Sequence, residues 1–284
     1  MTSPKLFAAP TRFTVKTALA AAEKGYAKAQ YFLAKCCASG RGVPQDYAKA
    51  VQYMRSAAEQ GYARAQNDLG SMCARGEGVE KDYDEAARWY RKAAEQGDPL
   101  AEYSLGRISV LGRGVPRNIG MALEWYRKSA EQNQPEAESA LGNLYFYGEE
   151  VTRDYAEAAK WLRKAAEQGS VGAMNNLGFL YESGLGVGRD PKEAAKWYRG
   201  GAEKNDARAQ ANLGVMYLEG TGGLSVDLVQ AYAWIKLSAA QGDPVGKRYI
   251  LDFEGGRLSL TKRQVAKAER LVEKFRARLR QSQP

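Results

Sequence analysis

An all-α solenoid of stacked helix pairs is the fold that this 284-residue sequence predicts, on three observations. Trp89, Trp125, Trp161 and Trp197 lie 36 residues apart, and Trp234 follows after 37. Leu69-Gly70, Leu105-Gly106, Leu141-Gly142, Leu177-Gly178 and Leu213-Gly214 keep the same register, with Leu33-Ala34 as the variant in the first copy. Within each copy the apolar and small residues follow helical spacing, not the alternation of a strand. A unit this short is one helix-turn-helix, which has no core until a neighbour stacks on it. Function should then lie on a surface that the stacking leaves open.

The elements follow in order. Residues 1–10 read as a flexible N-terminus. Residues 11–24 read as the second helix of an incomplete copy, since Ala21-Ala22-Glu23 aligns with Ala57-Ala58-Glu59. Six full copies of 36–37 residues start at Gly25, Gly61, Gly97, Asn133, Gly169 and Asn205, the last lengthened near Gly222-Gly223. A partial copy occupies 242–256 and the repeat array ends at 260. Over 261–280, Val265, Ala268, Val272, Phe275 and Leu279 recur at three- and four-residue steps, which predicts a basic amphipathic helix capping the array. Residues 281–284 are a tail.

Helix punctuation divides each copy. Gly40, Gly76, Gly112, Gly148, Gly184 and Gly220 stand where the first helix ends, a place that favours a left-handed backbone. Asp82 with Glu85, Asp154 with Glu157, Asp190 with Glu193 and Asp227 with Gln230 have the spacing of capping boxes opening the second helix. Pro191 suits the first helical position. The second helices stop at Gly61, Gly97, Asn133, Gly169, Asn205 and Gly242, the two residue types that best tolerate the left-handed cap.

Leu-Gly-x-x-Tyr, Gly-x-Gly-Val, Asp and Trp-Tyr-x-x-Ala-Ala, as in Leu177 to Tyr181, Gly184 to Val187, Asp190, and Trp197 to Ala202 with Gly201 in place of an Ala, resemble the Sel-like repeat family, a relative of the tetratricopeptide repeat. The resemblance covers roughly residues 11–255. Asn118 stands for the Asp, Glu150 for the second loop Gly, and Cys37, Cys73 and Ser109 for the Tyr. The resemblance implies a right-handed α/α superhelix whose first helices line the inner curve. It also implies proteins, many of them bacterial and exported, that assemble or regulate complexes.

The sequence has no histidine, which removes Ser-His-Asp and Cys-His nucleophilic sites and the His-Glu-x-x-His zinc site together. No cofactor or metal is expected. Cys36, Cys37 and Cys73 are odd in number and sit at core positions of the repeat, so they read as small buried residues in a reducing compartment. Ser259-Leu260-Thr261-Lys262 has the spacing of penicillin-recognising enzymes, but Thr261 with Gln264 is a capping box and the companion motifs are absent. Gly184-x-Gly186-x-Gly188 follows a helix and reads as a turn, not a phosphate loop. No run is long and apolar enough to span a bilayer, and Phe7-Ala8-Ala9-Pro10 is too short for a signal core. The chain as written is expected in the cytoplasm, or in the periplasm or outside if a native leader precedes it.

On an inner surface built from first helices, the positions free to vary are Lys28, Tyr31 and Lys35; Arg64, Asn67, Ser71 and Arg75; Tyr103, Arg107, Val110 and Leu111; Ser139, Asn143, Phe146 and Tyr147; Asn175, Phe179 and Glu182; and Arg208, Val215 and Glu219. The first copies are basic, the middle ones gather aromatic and aliphatic residues, and the last carry Glu. Asn67, Asn143 and Asn175 are expected to hydrogen-bond a peptide backbone, and Lys28, Lys35, Arg64 and Arg75 to hold its acidic end. The net charge of +9 is concentrated in residues 262–284, which hold eight Lys or Arg and two Glu. A solvated cap helix is the plain reading of that segment. Arg270, Lys274, Arg276, Arg278 and Arg280 are its candidates for contact with nucleic acid or anionic lipid. Together these point to a monomeric, non-catalytic interaction scaffold or adaptor, bacterial in origin, that binds a peptide segment or protein on its concave face. An immunity or inhibitor protein that neutralises a toxin or effector enzyme is the alternative, and a penicillin-binding or β-lactamase-like activity stands third.

Overall fold

The computed structural model describes residues 14–149 and 151–281, which are all-α with no strand among them. Two compact units, Met1–Gln134 and Pro135–Pro284, divide the chain at the boundary between two copies. The first holds α1 (Val15–Glu23), α2 (Ala27–Ser39), α3 (Tyr47–Glu59), α4 (Ala63–Arg75), α5 (Tyr83–Ala94), α6 (Pro99–Leu111) and α7 (Ile119–Glu131). The second holds α8 (Pro135–Tyr147), α9 (Tyr155–Glu167), α10 (Val171–Ser183), α11 (Pro191–Glu203), α12 (Ala207–Glu219), α13 (Leu228–Ala240), α14 (Pro244–Glu254) and α15 (Lys262–Gln281). The expected flexible start, the expected loop substitution at Glu150 and the tail from 282 lie outside the described residues.

The Leu-Gly signature is a packing device. Leu69, Leu105, Leu141, Leu177 and Leu213 are buried, and the glycine after each lets the second helix press its own side chain against the first-helix backbone. A Cβ on Gly70 would stand 2.8 Å from the Tyr90 ring, on Gly106 2.5 Å from Tyr126, and on Gly178 2.7 Å from Tyr198. Gly142 faces Leu162 and Gly214 faces Ile235 in the same way. In the first copy, Met54 replaces the aromatic residue and Ala34 replaces the glycine, so the variant is matched across the contact.

Caps form where the punctuation predicts them, with one correction. Gly40, Gly76, Gly112, Gly184 and Gly220 end their first helices in the left-handed conformation, and Asn133 and Asn205 take it at φ 60° and 69° after second helices. Asp82, Asp154, Asp190 and Asp227 each accept the N–H three residues on, but the paired Glu or Gln does not return the bond. Each cap N–H is already taken by a carbonyl of the preceding first helix, as Asp82 to Cys73 and Asp154 to Tyr145. The Glu side chains turn elsewhere: Glu85 accepts from Arg55 and Trp89, and Glu157 from Lys160 and Trp161. A reciprocal box does form at Thr261 and Gln264, which opens α15.

Trp89, Trp161 and Trp234 are buried as inter-helix anchors, while Trp125 and Trp197 are half-buried with the Lys128 and Lys196 ammonium groups 4.4 and 5.7 Å from their rings. Cys36, Cys37 and Cys73 are buried and free. Burial pushes the Cys73 thiol up to about 11 and raises the other two, so all three stay protonated as core residues.

A second ladder ties successive copies together. The glutamine that follows five of the second helices reaches a first-helix side chain 30 or 31 residues earlier: Gln60 to Gln30, Gln96 to Gln66, Gln132 to Glu102, Gln168 to Glu138 and Gln241 to Gln210, all at 2.7–2.8 Å, while Lys204 after α11 donates to the Gly169 carbonyl instead. Where the first-helix residue is Gln, its amide also donates backward, Gln30 to the Ala22 carbonyl, Gln66 to Ala58 and Gln210 to Ala202. Glu102 and Glu138 cannot do so as carboxylates. Both are buried, and burial raises their pKa above the ordinary carboxylate range.

Candidate functional site

The six thirteen-residue first helices, α2, α4, α6, α8, α10 and α12, bury their third, seventh and eighth residues, so the second, fifth, sixth, ninth, twelfth and thirteenth are left to decide what the face presents. In the first unit much of that face is bonded internally. The Tyr31 hydroxyl and the Lys35 ammonium both donate to Asp68 of the next first helix, at 3.1 and 3.0 Å. Burial and the Asp68 carboxylate push the Tyr31 phenol well above its ordinary range. Ser104 donates to Asn67, which is 8% exposed. Arg75 pairs with Glu77 in its own turn at 2.7 Å, and Tyr103 leans on Tyr126 with ring centroids 5.7 Å apart. Lys28, Arg64 and Arg107 remain exposed and form no ion pair among the described residues. Val110 is half-buried and Leu111 is 50% exposed at the end of α6.

The second unit carries a different face. Phe146 near the end of α8 is half-buried and meets three rings edge-on: Tyr147 at 5.0 Å, Phe179 on α10 at 5.7 Å and Tyr155 at 6.0 Å. Tyr147 and Phe179 are 42% and 40% exposed, so the cluster opens to solvent. Arg153 fixes its rim, donating to the Tyr147 carbonyl at 2.7 Å with its guanidinium 5.7 Å from the Tyr155 ring centre. Edge-to-face geometry places ring faces and edges at the surface, where an incoming apolar or aromatic side chain can add to the same packing.

The asparagines require a correction. Asn175 is 6% exposed, its amide donates to Asn176, and it accepts from Asn212 at 3.1 Å. Asn143 accepts from Asn176 at 2.8 Å. With Asn67, these residues link adjacent first helices; Asn67 and Asn175 are buried there, while Asn143 is half-buried with its carbonyl oxygen engaged. Glu182 likewise receives the Tyr198 hydroxyl at 2.7 Å. The partners at the sixth position, Asp68, Ser104, Asn176 and Asn212, escaped the sequence reading. Their signal was a polar residue 33 or 37 residues after the polar residue of the copy before.

At the C-terminus, Ala268 and Val272 of α15 are buried and Phe275 stacks on Trp234 with centroids 4.0 Å apart. Tyr232 and Lys236 of α13 both reach Glu269. Arg276 pairs with Glu273 at 2.7 Å, Arg278 lines a cleft beside Trp234 and Phe275, and Arg270, Lys274 and Arg280 are exposed. No group of three or more His, Cys, Asp or Glu that could hold a metal occurs among the described residues, and no described helix is long and apolar enough to cross a membrane.

The Sel1 repeat pattern matches six consecutive segments, 27–62, 63–98, 99–134, 135–170, 171–206 and 207–243. The chain belongs to the Sel1 repeat family. It is similar to a protective antigen of uropathogenic Escherichia coli that displays an SLR fold, with 36% identity over 95% of this chain and a TM-score of 0.81. It spans 56% of that antigen's chain. A Sel1 repeat protein from Oxalobacter formigenes is 33% identical over 90% of this chain and 97% of its own, with a TM-score of 0.73. An immunity protein from Pseudomonas aeruginosa shares 21% identity over 80% of this chain and 86% of its own, with a TM-score of 0.47. No curated protein matches significantly. Sel1 repeat proteins generally mediate protein–protein interaction and are generally non-catalytic scaffolds.

Proposed function

We propose that this Sel1 repeat chain is a non-catalytic adaptor that holds a protein segment on the first-helix face of its second unit, with Phe146, Tyr147 and Phe179 receiving apolar side chains. The observation that carries the reading is the edge-on cluster around Phe146, in which Tyr147 and Phe179 stay 42% and 40% exposed. Lys28, Arg64 and Arg107 give the first unit's face the charge to take an acidic segment. Asn175, buried and bonded to Asn212, holds neighbouring first helices of this unit together and leaves recognition to the rings.

Selection of binders from a displayed peptide library on the whole chain, followed by calorimetry, tests the reading. Each buried aromatic side chain contributes about 1.5–3 kcal/mol. The double variant Phe146→Asp, Phe179→Asp should therefore weaken selected apolar peptides by two orders of magnitude or more, and wild-type binding should change little between 50 and 300 mM salt. Unchanged affinity in a double variant with native helical circular dichroism would remove this face from the function. A folded enzyme bound tightly and silenced would instead favour the immunity reading.

A further inference from the structure

The outward side of α15 has no role in the adaptor reading. Arg263, Lys267, Arg270 and Lys274 follow one another at steps of four, three and four residues. At about 3.6 residues per turn they fall within an arc of roughly 60°, turned about 150° from the buried Ala268 and Val272, and run about 16 Å along the helix. All four are exposed, and none forms an ion pair among the described residues, whereas the acids of the same helix are spent elsewhere: Glu269 on Lys236 and Glu273 on Arg276. Beside the stripe lies a cleft of about 240 Å³ lined by Lys267, Arg270 and Lys274 together with Val229, Gln230 and Leu271. Asp227, the one carboxylate at this cleft, is committed to the first-turn N–H groups of Val229 and Gln230.

We infer that this side of α15 binds the phosphate backbone of nucleic acid without sequence preference. A row of four unpaired cations about 16 Å long matches a partner whose negative charge repeats along a line, and duplex nucleic acid supplies one charge per roughly 1.7 Å of axis. The apolar side of α15 is occupied by α13, so the helix cannot lie in a bilayer interface as free amphipathic helices do. An acidic protein segment would find beside the stripe only the narrow cleft at Val229 and Leu271, of about 240 Å³, where stable protein interfaces bury a broad apolar centre. The shape fits phosphodiester contacts, which need charge and reach and carry no base recognition.

Fluorescence anisotropy of the full chain with a labelled 20-base-pair DNA duplex tests this. Neutralising about four phosphates predicts a log–log salt slope near −3.6 and a loss of roughly 100-fold in affinity between 50 and 200 mM salt. The variant Arg263→Gln, Lys267→Gln, Arg270→Gln, Lys274→Gln should abolish binding while keeping its helical signal. Lys267→Gln with Arg270→Gln alone should halve the slope, which keeps the test open if the fourfold variant folds poorly. Phe146→Asp with Phe179→Asp should bind duplex like wild type, separating this surface from the aromatic face. No binding to duplex at 50 mM salt, full binding by the charge variants, or binding to phosphatidylserine vesicles or polyglutamate in preference to duplex would each overturn the inference.

Discussion

Glu102→Gln is expected to stabilise this protein, although it removes a charged residue that already has a hydrogen-bond partner. Glu102 is 5% exposed and accepts one bond, from Gln132 at 2.8 Å. The equivalent Gln66 makes two, accepting from Gln96 and donating to the Ala58 carbonyl at 3.0 Å. The Ala94 carbonyl, which corresponds to Ala58, accepts the Gly97 N–H at 2.9 Å and has a second lone pair to offer. A glutamine at 102 keeps the shape and the bond from Gln132, adds the donor, and ends the cost of desolvating a carboxylate. A net hydrogen bond is worth about 1 kcal/mol, and relief of the buried charge acts in the same direction, so the gain at pH 7 is at least about 1 kcal/mol.

The pH dependence supplies the sharper check. Burial raises the folded-state pKa of Glu102 above its unfolded value of about 4.3, so the folded state holds the proton more tightly. The native carboxyl's favourable contribution is complete below the unfolded pKa and is lost as pH rises through the folded one. Thermal melts of wild type and variant should therefore differ little near pH 4 and separate as pH rises, to a plateau of a few degrees by pH 8. Glu138, fully buried with Oε1 lacking any hydrogen-bond partner, should behave alike on change to Gln. A variant less stable than wild type at pH 7, or a gap that is constant from pH 4 to pH 8, would refute the argument.

Two further outcomes test the packing. Gly106→Ala places a methyl group 2.5 Å from the Tyr126 ring and should cost about 1–3 kcal/mol in denaturant titration, while adding Tyr126→Met, the pairing that Ala34 and Met54 use, should recover most of it. Trp161→Ala removes a buried ring and its bond to Glu157, with an expected loss of about 3–5 kcal/mol, and a melting temperature within 1 °C of wild type would show that the anchor is not where its stability lies.

The fold was legible because its determinants are periodic. A glycine needed at every ring contact, a left-handed residue at every helix end and an aspartate at every second-helix start each recur, and six copies average away the exceptions at Asn118 and Gly201. The candidate face was legible only in part, since its residues are by nature those that do not repeat. The sequence places Phe146, Tyr147 and Phe179 on first helices, and the structure brings their rings together. It could not separate polar residues that bind a guest from those that bind the next helix. Asn175 and Arg64 are both polar first-helix residues, yet one is buried against Asn176 and Asn212 and the other is open. The difference lies in the neighbour one copy away, so that the unit of reading for a stacked array is the pair of positions across the interface.

That pairing also explains why the exposed aromatics point to function more strongly than the exposed cations on the same helices. An unpaired lysine or arginine is solvated at little cost, so Lys28 and Arg64 need no guest to be stable. Phe179 stands where four other copies carry a soluble side chain, Lys35, Ser71, Arg107 and Asn143, and one carries Val215, while Phe146 stands where the others carry the smaller Ala38, Ala74, Val110 and Leu218 or Glu182, which receives a tyrosine hydroxyl. The third, seventh and eighth positions beneath are buried in every copy whichever side chain stands above them, and neither Tyr147 nor Phe179 is covered by folding. The aromatic pair therefore keeps apolar surface in water at a place where the scaffold does not require it, and a guest that covers those rings recovers the hydration free energy that folding left unused.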